Sequence, residues 1–225
     1  MRVMREKIEK VYNTANELIE TYNSIDLDIR RLLGTSLAAT FSFLFLAAKL
    51  IIGIATHSVI FLYSCVYALL MLLCKLIFLK GLYKSEKEKY KSYNLMALVL
   101  FLGAFAFNMS LLIRLNAVRE EQRFHPIFAI IFSFYLIFLY VFSIYGLWDA
   151  KRQNDLLFLG LKLVTYSSFF MNMVLAQRLV IGCLSISDRQ ITFINFAFGI
   201  SCGIAMAIIA ISMFIYGRFR NRTNC

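Results

Sequence analysis

Proline occurs once in 225 residues, at Pro126. Little therefore interrupts a helix, because proline removes a backbone donor and clashes with the preceding turn. Histidine occurs only at His57 and His125. The thirteen Asp and Glu residues all fall outside the long apolar runs. No buried carboxylate is then available in those runs to carry a proton or a metal ion. The five cysteines, at 65, 74, 183, 202 and 225, form no C-x-x-C pair, so neither a disulfide framework nor a zinc knuckle is indicated. No buried base, metal motif or partnered nucleophile is visible. An enzyme, a cofactor and a bound metal are accordingly not expected.

Apolar side chains dominate what is present. Hydrophobic residues make up 60% of the chain, charged residues 16%, and mean hydropathy is +0.72. A soluble domain is about 45–50% apolar and about 25% charged. Six runs reach the roughly 20 residues needed to cross a bilayer: 35–54, 58–79, 93–113, 127–147, 157–183 and 191–216. The expected fold class is all-α, a polytopic membrane protein with six transmembrane helices and an N-terminal amphipathic cytoplasmic helix. The first two runs are joined at Ala55-Thr56-His57 and should form a tight hairpin.

The net charge of +11 would suggest nucleic acid in a soluble protein. Here Lys and Arg lie mostly in short loops beside the apolar runs, which fits topology and anionic headgroups instead. The lipid bilayer is the expected partner, and nucleic acid is not. Sixteen basic residues fall on the side of the termini and five on the other. Positive-inside bias then predicts cytoplasmic N- and C-termini in a plasma-membrane protein. No signal peptide is expected, since residues 1–33 are too polar and the first apolar run is long enough to span.

Residues 1–33 carry a heptad seam of Met4, Ile8, Val11, Ala15, Leu18 and Tyr22, with Glu and Lys on the other face. An amphipathic helix to about Tyr22 follows. It lies on the membrane surface, or it binds a protein partner or a second copy through residues 1–33. Residues 34–217 form the transmembrane domain, and 218–225 a short basic cytoplasmic tail.

Ser64, Tyr67, Asn108, Ser168 and Asn172 are candidates to line a neutral polar path between helices. Asn108, Asn172 and Gln177 serve equally well as hydrogen-bonding links between helices. Lys75 and Arg178 stand near helix ends and are expected to snorkel, as are Lys49 and Lys162. Gly199, Gly203 and Ala207 recur every four residues. They predict close helix packing, within the protomer or across a homodimer.

Lys49-x-x-x-Gly53-x-x-Thr56-x-Ser58, followed by an apolar helix, resembles the link between the first two spans of cation diffusion facilitators. A weaker likeness runs through the third run and into Lys151-Arg152-Gln153-Asn154. The His57-Ser58 pair also resembles small bacterial six-span membrane proteins. The likeness covers most of residues 35–216. It implies six spans, both termini inside, and transport of Zn²⁺ or similar ions through a tetrahedral Asp/His site. The positions matching those ligands are Tyr67 and Met71 in the second run and, near them in the fifth, Val164 and Ser168; Ser64 matches an acidic position of some members. None is Asp or His, and residues 156–187 contain no His, Asp or Glu. The family's cytoplasmic domain after the sixth span has no counterpart in the nine residues after Tyr216.

Hence the resemblance implies the scaffold without the zinc chemistry. Two functions remain open: a divergent transporter of a non-zinc solute, or a transport-inactive membrane protein that binds a partner. A soft-metal version of the first would use Cys65, Met71, Met171 or Met173. Cys65 and Cys74 are half a turn out of phase and would not converge. A cavity between the second and fifth runs would favour transport, and tight apolar packing there the inert reading.

Overall fold

The computed structural model describes residues 27–55, 59–115, 126–181, 183 and 188–223. Within them the chain forms six α-helices and no strand: α1 (Leu27–Ala55), α2 (Val59–Gly81), α3 (Glu86–Leu115), α4 (Pro126–Arg152), α5 (Leu156–Ile181) and α6 (Asp188–Thr223). All six are long and apolar enough to cross a membrane. Most outrun the apolar stretches read from the sequence, because local signals set their ends. Ser85 precedes α3 with Glu88 three residues on, the pattern of a capping box. Pro126 opens α4, where its fixed φ suits the first helical turn. The longer helices bring acidic residues onto helix ends, such as Glu86 and Glu88 in the first turn of α3. α1 begins inside the segment read as amphipathic, residues 1–33; the seam at 4–22 and the pair His57-Ser58 lie outside the described residues.

Helix α5 is the hub, packing against α2, α3, α4 and α6. The most extensive pairing joins α3 to α6. Tyr93 of α3 is fully buried between these elements. A Cβ at Gly160 of α5 would come within 2.6 Å of its ring, and one at Gly217 of α6 within 3.0 Å. Hydrogen is the only side chain that lets three backbones close around this ring. Helices α1 and α4 are peripheral, with about a tenth of their apolar windows buried, against half for α3 and α5.

The α4–α5 turn is held from both ends of the chain. Asn154 adopts φ 54°, the left-handed conformation that commonly stops a helix. Asp155 caps α5 by accepting from the Phe158 N–H at 3.1 Å. Arg31 of α1 donates to Asp155 at 2.6 Å, and Arg220 of α6 donates to the Asn154 carbonyl at 2.6 Å.

Candidate functional site between α2 and α5

A cavity of about 130 Å³ lies between α2 and α5, with α1 and α4 at its flanks. Helix α2 lines it with Ser64, Tyr67, Met71 and Lys75. These are spaced by three and four residues, so they form one stripe along the helix. Helix α5 answers with Val164, Thr165, Ser168 and Asn172, of which Thr165, Ser168 and Asn172 are spaced the same way. Ser42 of α1 and Tyr135 of α4 complete the polar lining. From Ser64 to Lys75 is eleven residues, about 16 Å of helical rise, so the cavity is a long slot.

Its polar groups are compatible with an apolar bundle because they are tied locally. Thr165 donates to the Leu161 carbonyl at 2.9 Å, and Ser168 to the Thr165 carbonyl at 2.6 Å. The Asn172 amide donates to the Ser168 carbonyl at 2.9 Å. Hydroxyls bonded back to their own helix leave no unmet donor. Across the slot, the Tyr67 phenol is 3.0 Å from the Ser167 hydroxyl, both buried.

The lysine is the strongest group in the lining. The Lys75 ammonium donates to the Ala38 carbonyl at 3.0 Å and to the Ser42 hydroxyl. Ala38 and Ser42 lie seven and eleven residues along α1 from Arg31, about 10 and 16 Å of rise. The side chain therefore reaches across to the middle of α1. Where the sequence suggested that Lys75 reaches toward its helix end, the structure shows its ammonium on acceptors of the neighbouring helix α1. No Asp or Glu among the described residues lines the cavity. Among the described residues, the ion pairs are Arg31–Asp155 and Lys89–Glu86, and none involves Lys75. A second ammonium, that of Lys162, stacks 4.9 Å from the Phe158 ring centre.

Of the residues chosen from sequence for a polar path, Ser64, Tyr67, Ser168 and Asn172 share this cavity. Asn108 does not. It belongs to the α3–α6 interface, where a Cβ at Gly203 would stand 2.0 Å from its Oδ1. A Cβ at Gly199 would meet Leu111 at 2.8 Å. The small-residue face of α6 thus packs on α3 of the same chain, with Ala207 partly buried against the core. Ser42, Lys75, Tyr135 and Thr165 are lining residues that the sequence reading did not select. Thr165 was findable, three residues before Ser168 on the same face; the others needed the tertiary arrangement. Of the soft donors, Met71 and Met171 line the cavity, whereas Cys65 and Met173 do not. Among the described residues no three His, Cys, Asp or Glu side chains are grouped to hold a metal ion.

Comparison with protein families, curated proteins and solved structures finds no match to this chain.

Proposed function

We propose that the chain is a multi-pass membrane protein that moves a small polar solute through the cavity between α2 and α5. The observation that carries this reading is the slot itself, with Ser64, Tyr67, Lys75, Thr165, Ser168 and Asn172 on two facing helices. A purely structural bundle would close that space to interior packing density. Membrane insertion is supported by six long apolar helices and by the outward apolar faces of α1 and α4. Leu37, Phe41, Phe134, Phe138 and Phe142 are exposed there, which suits lipid and not water. The charge bias supports cytoplasmic N- and C-termini, and a plasma-membrane location belongs to the same proposal.

The resemblance to cation diffusion facilitators is retained as a proposal about the scaffold. Tyr67, Met71, Val164 and Ser168, the positions it assigns to metal ligands, all line one cavity. Their chemistry does not suit zinc, which takes thiolate, imidazole or carboxylate. The proposed solute is therefore something other than zinc, and no catalytic step is assigned.

Reconstitution into liposomes tests the reading. Small polar solutes are expected to equilibrate faster than in empty vesicles, with Val164→Trp blocking passage and zinc uptake at the empty-vesicle level. Absence of flux for every solute in a panel of small neutral, anionic and cationic compounds would refute transport and leave the partner-binding alternative.

A further inference from the structure

Among the described residues, the cavity is lined by one cationic side chain and no acidic one. Lys75 has two neutral acceptors, the Ala38 carbonyl and the Ser42 hydroxyl, and an ammonium has three N–H donors. Its charge has no carboxylate partner among the described residues. Lys162 is close enough to Lys75 for the two charges to repel. Its own acidic neighbour is Asp149, near the end of α4. An ammonium drawn partly out of water is favoured by an opposite charge beside it.

We infer that the cavity is a binding site for a small monovalent anion, held by Lys75 and by the hydroxyls of Ser42, Thr165 and Ser168. The proposal rests on the membrane-embedded slot put forward above and names the class of its solute.

Size, charge and donor supply agree with that occupant. A volume of about 130 Å³ is well above the roughly 10–15 Å³ that one water needs. It suits a halide or an oxyanion such as nitrate with part of its hydration, and not a sugar or a nucleotide. One ammonium in the lining matches one negative charge. The hydroxyls now donate to helix carbonyls at Ala38, Leu161 and Thr165. Rotation of a hydroxyl toward an anion leaves each carbonyl its own helical N–H, so no backbone group is stranded. The thioethers of Met71 and Met171 could instead attract a soft cation. The adjacent ammonium opposes it, and among the described residues no thiol lines the slot.

Broadening of the chloride NMR line by the purified full chain in detergent micelles provides the test, with nitrate as competitor. Saturable broadening, displaced by nitrate, is expected for the native chain. Lys75→Gln should bind about tenfold more weakly, the loss of a charge-assisted hydrogen bond, and Lys75→Arg should bind nearly as well as the native chain. Thr165→Val with Ser168→Ala keeps the charge and should weaken binding by several-fold, which preserves the test if Lys75→Gln does not fold. No saturable broadening by the native chain overturns the inference, as does equal binding by every variant or saturable binding of silver(I) in place of chloride. The two proposals fail separately. Urea flux without chloride binding removes the anion and keeps transport; chloride binding without flux of any solute keeps the anion and removes transport.

Discussion

The Tyr67 phenol on α2 and the Ser167 hydroxyl on α5 meet at 3.0 Å, buried, one hundred residues apart in the chain. This bond ties together the two helices that face each other across the cavity. A buried hydrogen bond contributes about 0.5–1.5 kcal/mol net, and between membrane helices about 0.6 kcal/mol. Tyr67→Phe and Ser167→Ala should each lower unfolding stability in detergent by about that amount. The double variant should lose less than the two losses added together, because both remove one bond. Strict additivity would show that the two groups do not interact.

Asn108 and Gly203 make the second prediction. A methyl at Gly203 would collide with the Asn108 side chain, whose carboxamide oxygen is 2.0 Å from the Cβ position. Gly203→Ala should destabilise the protein by about 1–3 kcal/mol, as overpacking does. Asn108→Ala in the same chain should restore most of the loss. Gly34→Ala is the control: nothing lies within 4 Å of its Cβ position, and alanine is the better helix former by about 1 kcal/mol. Thermal unfolding of the four proteins decides this, and a Gly203→Ala protein as stable as the native chain would contradict the α3–α6 packing.

Asp155 does two things at once: it caps α5 through the Phe158 N–H and pairs with Arg31. Asparagine keeps the capping oxygen and loses the charge, whereas alanine loses both. Asp155→Ala should therefore unfold more readily than Asp155→Asn, by about 1 kcal/mol. Equal losses would mean that the cap contributes nothing and the Arg31 contact carries the whole effect.

Much of the fold was legible because its signals are local. Each helix is a run of about 20 apolar residues, and single features such as Ser85, Pro126 and Asp155 mark its start. Gly199 and Gly203 declared a close contact by their spacing, but nothing in the sequence says that α3 fills it. That is why Asn108, a polar residue in an apolar run, read as part of a solute path. The cavity was legible in part for the same reason. Ser64 and Tyr67, or Ser168 and Asn172, share a helical face by spacing alone, and the α2–α5 pairing came from a resemblance. Lys75 suggested snorkelling because it stands near a helix end. Its hydrogen bonds go to Ala38 and Ser42, acceptors on another helix whose position only packing reveals.

Orientation supplies a fourth prediction. A reporter fused after Cys225 should be active only in its cytoplasmic form, and one inserted near Glu120, in the segment between α3 and α4, only in its external form. The reverse pattern would invert the topology deduced from sixteen basic residues against five.

The central claim is that water and small solutes enter between α2 and α5. Reaction of an introduced thiol with a small, charged, membrane-impermeant reagent measures this directly, in a chain whose native cysteines are replaced. Ser168→Cys lines the slot and should react in intact proteoliposomes, and chloride or nitrate should slow the reaction. Asn108→Cys, packed against Gly203, should stay unmodified, while Lys87→Cys at the exposed start of α3 reports that the protein is folded and accessible. If Ser168→Cys stays as inert as Asn108→Cys while Lys87→Cys reacts fully, the slot is dry and the account of a solute path is wrong.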